Sequence, residues 1–436
     1  MDMRFRFLNV VIGVLWSLSF PVKAQVLADM DVVLTERDLS ILRSERQVEI
    51  ASARVDQARA NLFPSAGVSL TSSQTERTQF GLTERYEGED YTVVVQQPVF
   101  DRPRSLEVDR QAALKMAQDA SRDRTEQDRR LELIQGFVRW VDAQSQVRAL
   151  TGRLETVNQR VTQLDQLYAA KRVSVVELLT VKNERERVRS ELAQAESNES
   201  VSRSFLVSLL GAEQLPEKAP LIRSVNAWPF DLWREAAQES VSDHPLIREA
   251  IAQQQAAEIG VDQATSAWFP VVQAEVRYRE TNIGANDAET FPTETATARV
   301  ILSWDIFDSG ARAAREREAV SRLQDAQLAF DQSARELERL KRASDSEMER
   351  IQRAWEAARA ETASAEQLVA AADRSFALGV GTVADTLQAL DRLTDAEIRL
   401  RSRWLEAVVA SAQRAQAVDR LDRAFVETIS AEFQPE

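Results

Sequence analysis

One histidine, no cysteine and 69 aspartates and glutamates bound the chemistry open to this chain of 436 residues. Thiol nucleophiles and cysteine or multi-histidine metal sites need residues it does not have. No GxxxxGK[ST], GxGxxG, HExxH or GxSxG pattern occurs, so phosphate cradles, metalloprotease helices and nucleophile elbows are missing too. The single histidine, His244, precedes Pro245 at a helix start and reads as a loop or cap residue. Asp305, Asp308 and Gly310 resemble a metal loop only superficially, and a strand-to-helix junction with Asp308 as N-cap accounts for them. Glu177 and Asp385 each stand just after a chain reversal, where the helix dipole favours a carboxylate. No catalytic residue, metal or cofactor is expected, and the chain is not expected to be an enzyme. A formal charge of -14 and a pI near 5.0 exclude nucleic acid as a partner by repulsion.

These residues sit on a duplicated framework. Asn61-Leu62-Phe63-Pro64 returns as Ala267-Trp268-Phe269-Pro270, 206 positions on, and Pro98-Val99-Phe100-Asp101 returns as Asp305-Ile306-Phe307-Asp308, 207 positions on. The repeat overrides any domain count based on length. It divides the chain into a first repeat at 25–210, a connector at 211–244 and a second repeat at 245–436. With only 12 glycines and 11 prolines, the composition is that of long helices. Ahead of the repeats, Arg4 and Arg6, the apolar run Phe7 to Phe20 and Val22-Lys23-Ala24 read as a secretory signal peptide over 1–24, with the mature chain starting near Gln25 outside the cytoplasm. There is no cysteine to accept a lipid, and no later stretch approaches about 18 consecutive apolar residues. A soluble periplasmic protein or an outer-membrane β-barrel remains.

In each repeat a short hairpin interrupts very long amphipathic helices. The helical pattern from Thr35 to Leu62 stops at Pro64. Strands follow at about 65–77 and 91–100 around the polar loop 78–90, and their counterparts lie at about 271–281 and 295–306 around the loop 282–294. Val272, Ala274, Val276 and Tyr278 alternate with Gln273, Glu275, Arg277 and Arg279, while Ala296, Ala298, Val300, Leu302 and Trp304 alternate with polar residues, Ile301 excepted. Such strands are long enough to cross a bilayer at a tilt, and Val272, Val276, Tyr278, Val300, Leu302 and Trp304 are the candidate lipid face. A strand pair on a soluble core shows the same alternation. Helices then run from about 105 to 171 and from 310 to 378, each roughly 100 Å at 1.5 Å per residue. Val147, Leu150, Leu154, Val157, Val161, Leu164 and Tyr168 form a coiled-coil seam, repeated at Trp355, Ala358, Thr362, Ala365, Val369, Ala372 and Phe376. The chain reverses at Lys171-Arg172-Val173-Ser174 and at Gly379-Val380-Gly381-Thr382, and helices return over 175–210 and from 383 to about 430. The two shorter helices of each repeat, placed end to end, would match one long partner, which predicts a wall of paired helices. The connector, with an amphipathic piece from Phe230 to Val241, is expected outside that wall, and the segment beyond Ser430 gives no signal.

At this point the chain resembles the TolC-type outer membrane factors over essentially all of its mature length. Phe63-Pro64 and Phe269-Pro270, the exits Gln97-Pro98-Val99-Phe100-Asp101 and Trp304-Asp305-Ile306-Phe307-Asp308-Ser309-Gly310, and the reversal Leu378 to Asp385 carry the resemblance. It implies a mainly α fold with membrane β-strands: a homotrimer whose 12-stranded β-barrel continues as a long α-helical barrel. The function implied is the exit duct of a tripartite efflux or type I secretion system, working with a periplasmic adaptor and an inner-membrane transporter of RND or ABC type. The location implied is the outer membrane of a Gram-negative type envelope, with a long periplasmic extension. Four strands cannot close a barrel, so the physics also asks for several copies. The resemblance makes Asp385 and its first-repeat equivalent Glu177 aperture acids, a cation-favouring ring about a threefold axis. The second family aspartate falls on Gln388, with Asp391 one turn on as its substitute. The tips Gly379, Val380, Gly381, Thr382, Arg172, Val173 and Ser174 are expected to contact the adaptor. The family's tyrosine and arginine latch positions hold Phe376 and Gly381, so a closed tip must be held differently, and the first reversal has Lys171 where the family has glycine. The competing reading from another class is a soluble periplasmic coiled-coil scaffold with the hairpins as caps.

Overall fold

In the computed structural model, residues 26–211, 215–228, 243–285 and 292–434 are described. The expected signal peptide at 1–24, the amphipathic piece at 230–241 and part of the second hairpin loop lie outside them. The first repeat comprises α1 (Val26–Arg37), α2 (Leu39–Ala60), β1 (Ser65–Gln79), β2 (Leu82–Phe100), α3 (Arg102–Ala169) and α4 (Val175–Leu210). After the short β3 (Leu221–Ile222), the second comprises α5 (Pro245–Ser266), β4 (Val271–Ala285), β5 (Thr293–Ser303), α6 (Ala311–Ala377), α7 (Val383–Ala417) and α8 (Arg423–Ser430), and β6 (Phe433–Gln434) ends it.

The long helices have 68 and 67 residues. α2 and α4 both pack on α3, and α5 and α7 both pack on α6. Partners of 22 and 36 residues face 68, and partners of 22 and 35 face 67, so the end-to-end pairing expected from the pattern holds. The seam holds over its middle, with Leu150, Val157, Val161 and Leu164 buried in α3 and Trp355, Ala358, Thr362 and Ala365 in α6, while Tyr168 at its end is exposed and Val369, Ala372 and Phe376 are half-buried.

Several boundaries differ from expectation. The first helix breaks at Asp38, whose carboxylate accepts from the amides of Ser40 and Ile41 and so caps α2. The expected loop at 78–90 is strand: β1 and β2 are joined by Phe80 and Gly81 alone, both at positive φ (52° and 82°), a two-residue hairpin turn. That stretch has no hydrophobic alternation to read, because it is held by cross-strand polar pairs such as Gln74 with Glu87 and Thr78 with Thr83. The second returning helix stops at Ala417, where Asp419 turns to φ 59° before α8.

The four main strands form one antiparallel sheet in the order β1-β2-β4-β5, so the two hairpins meet along β2 and β4 and the outer edges of β1 and β5 have no partner among the described residues. The largest core lies halfway along the helices, around the fully buried Trp140, Trp404, Phe137, Leu133 and Leu206. The described part of the connector packs into that core. Leu215 and Ala219 are buried, Trp355 Nε1 donates to the Val225 carbonyl at 2.9 Å, and Trp404 Nε1 donates to the Ala227 carbonyl at 3.1 Å. The C-terminal segment, silent in sequence, pairs β6 with β3 and sets Phe433 edge-on to Phe137 at 5.0 Å and to Trp404 at 5.8 Å.

Candidate functional site

The two reversals are built alike. The Arg172 amide donates to the Leu167 carbonyl and Lys171 to Tyr168, while Val380 donates to Ser375 and Gly379 to Phe376, a matched pair of Schellman closures. The left-handed residue is Gly379 (φ 75°) in one and Lys171 (φ 58°) in the other, so the lysine takes the conformation of the glycine it replaces. Each following helix opens with a capping box. Ser174 accepts from the Glu177 amide at 3.2 Å while the Glu177 carboxylate accepts from the Ser174 amide at 2.8 Å. Thr382 and Asp385 repeat this at 3.2 and 2.9 Å. The two acids are therefore geometrically equivalent. Hydrogen bonds from the Thr382 hydroxyl and then its amide hold the Asp385 carboxyl below the usual aspartate range.

Around these reversals Val157, Val161, Leu164, Leu178, Val181, Val383 and Leu387 form a second, smaller core, with Val173 and Phe376 packed against it. Arg172, Ser174, Gly379, Val380, Thr382, Asp385 and Gln388 are exposed. Gly381 is pressed against α6, where an added Cβ would stand 3.0 Å from Ser375. Beside the second reversal, Arg160 of α3 pairs with Asp373 of α6 at 3.1 Å and lies over the Phe376 ring at 5.1 Å. Asp391, one turn beyond Gln388, is committed to ion pairs. Its carboxylate is taken by Arg153 of α3 and by Arg187 of α4, the latter at 2.7 Å. Arg153, its side chain 3% exposed, also reaches Glu184 of α4 at 2.5 Å, so this node ties α3, α4 and α7 together.

At the other end of the helices, the sheet register sorts its faces. Ala66, Val95, Val276 and Ala298 make one row, and Val68, Val93, Tyr278 and Ala296 the next. Phe100, Val272 and Leu302 lie on the helix side of them and Leu70 with Tyr91 on the far side. From the Val272 row to the Tyr278 row is about 20 Å of strand, or about 16 Å along the normal at a tilt near 40°, and the next row joins Leu70 and Tyr91 to Glu280 and Glu294, which ends the apolar band short of the about 25 Å of outer-membrane barrels. This face is open: Val276 is 55% exposed, Val300 72% and Leu302 62%. Trp304 shares its parity but lies just past β5, its Nε1 donating to the Trp268 carbonyl at 3.1 Å.

The opposite face is polar and crowded, with Glu275 only 3% and Thr92 8% exposed. Glu275 accepts from Arg299 at 3.0 Å, Arg277 at 3.2 Å and Gln96 at 3.1 Å, and Asp90 accepts from Thr92 at 2.7 Å and also pairs with Arg279. Alternation in β4 put its charges on one face, but the partners on β2 and β5 follow only from the register. Among the helix caps, Asp308 accepts from the Gly310 and Arg312 amides and pairs with Arg312, although the cap position itself falls on Gly310. His244 caps α5, its Nδ1 accepting from the Leu246 amide while Nε2 donates to the Gln416 carbonyl at 3.1 Å. No helix among the described residues is long and apolar enough to cross a membrane.

The model of a family described as outer membrane efflux protein matches residues 33–212 and 236–425. Among curated proteins no sequence matches significantly. Three solved structures share the fold over nearly the whole chain. The Campylobacter jejuni CmeC outer membrane channel has 12% identity and a TM-score of 0.80, over 99% of this chain and 97% of that one. The open state of the Neisseria gonorrhoeae MtrE outer membrane channel has 16% identity and 0.75, over 97% and 99%. The outer membrane protein VceC from Vibrio cholerae has 14% identity and 0.76, over 90% and 95%.

Proposed function

The chain belongs to the outer membrane efflux protein family, a family of exit ducts, and on that premise we propose that three copies close one 12-stranded barrel in the outer membrane and continue it as a helical tunnel into the periplasm. The observation that carries this reading is the four-stranded sheet, its two outer edges unpartnered among the described residues and one apolar face exposed, joined to helices about 100 Å long. Unpaired backbone groups cannot face hydrocarbon, so β1 of one copy pairs with β5 of the next. Substrates handed over by an inner-membrane transporter pass through without chemistry, in keeping with a family and fold of channels rather than enzymes. The reversals at 172–174 and 379–382 dock a periplasmic adaptor, and three Asp385 side chains, with Glu177 beside them, ring the entrance and favour cations.

Because the chain has no cysteine, pairs introduced one on β1 and one on β5 report cleanly on closure. Detergent-extracted protein carrying such pairs should give covalent dimers and trimers on oxidation. A monomer that leaves cells without detergent and never cross-links would sink the duct and favour a periplasmic scaffold. In bilayers, Asp385→Ala should lower cation selectivity, and unchanged selectivity would remove the aperture role.

A further inference from the structure

Although the chain as a whole carries -14, the polar face of the sheet carries an excess of cations. Going outward from the helix side, its rows are Ser65, Gln96, Glu275 and Arg299; then Gly67, Val94, Arg277 and Thr297; then Ser69, Thr92, Arg279 and Thr295; then Thr71, Asp90, Thr281 and Thr293. Three arginines therefore face two carboxylates. Farther out, Arg77 stands opposite Glu84 in register. Arg279 is matched by Asp90, whereas the buried Glu275 is shared by Arg277 and Arg299. One carboxylate cannot neutralise two guanidinium groups, so each chain keeps one positive charge at this level. The two side chains stay 42% and 51% exposed, and each guanidinium has five N–H donors, most of them unused by Glu275. Planar, always-charged groups fixed by a buried acid and open on one side are suited to carboxylates and phosphates.

We propose that Arg277 and Arg299, oriented by Glu275, form an anion-binding collar inside the barrel, which makes the outer-membrane end of the duct favour anions and the anionic groups of passing substrates. This rests on the duct reading, which brings three such clusters to one height around the lumen. Low-dielectric walls strengthen the collar's field. The duct then has two filters of opposite sign in series: carboxylates at the periplasmic tip and arginines at the membrane.

Planar-bilayer recordings of purified trimers under a KCl gradient test it, in an Asp385→Ala, Glu177→Gln background that removes the tip acids. The reversal potential should show chloride preference. Arg277→Gln with Arg299→Gln should move the permeability ratio toward potassium by about twofold or more, and Glu275→Gln should move it toward chloride. Inorganic phosphate added on the outer side should reduce chloride current through the parent and reduce it less through the double arginine variant. The opposite signs of the two shifts separate charge from damage to the sheet. Clear conductance steps with one reversal potential in all three proteins would overturn the collar. A wild-type preparation with no conductance steps at all would overturn the duct, and the collar with it.

Discussion

Arg153 shows how much one side chain can hold at a helix crossing. It is almost wholly buried, its Nε finds no partner among the described residues, and its terminal nitrogens meet Glu184 of α4 and Asp391 of α7. Arg153→Leu would leave Glu184, Glu191 and Asp391 with only Arg187 among them. We expect a loss of about 3–5 kcal/mol, as for breaking a buried ion pair, seen as a lower melting temperature and as a wider α3–α7 separation between spin labels. His244 gives a pH signature. Burial pushes its pKa below the ordinary 6.5. The unfolded chain therefore takes up a proton first as pH falls, so stability is full above 6.5 and declines below it until the lowered folded value is reached. His244→Asn keeps a cap acceptor and should flatten that slope in urea titrations at pH 5 to 7. Asp385 runs the same way at lower pH: its capping bond is complete above the usual aspartate value of 3.8 and is lost as pH falls through its lowered one.

The two reversals are one device written with different residues. Gly379 adopts its left-handed angle freely, whereas Lys171 adopts nearly the same angle with a side chain attached, at a cost of about 1 kcal/mol. Lys171→Gly should therefore raise stability by up to about that amount, read as a higher denaturant midpoint with unchanged slope. Thr382→Ala removes a cap acceptor and should cost about 1 kcal/mol, with fraying of α7 seen as faster amide exchange near Val383. The adaptor is expected to feel both changes if it docks at these tips.

Across the whole protein, the connector, the C-terminus and the middle of the helices form one body. Phe433 packs between Phe137 and Trp404 while β6 pairs with β3. Phe433→Ala should cost about 3–5 kcal/mol, and deletion from Phe433 onward should release the described part of the connector to proteolysis without opening the sheet. Limited digestion that left the connector protected in the truncated protein would contradict this coupling.

The duplication, the strand alternation and the heptad seam were legible because each is a periodic consequence of burial on one face. A buried stripe has to recur at 3.5 residues on a helix and at 2 on a strand. Phe63-Pro64 and Phe269-Pro270 ended their helices in print for the same kind of local reason. Contacts between elements distant in the chain were hidden: the strand running through 82–90, the tuck of Phe433 into the core, the commitment of Asp391 to Arg153, and the sharing of Glu275 by two arginines. Periodicity records which face is buried, but not against whom, and partner choice is settled only when register and packing bring remote residues within hydrogen-bond reach.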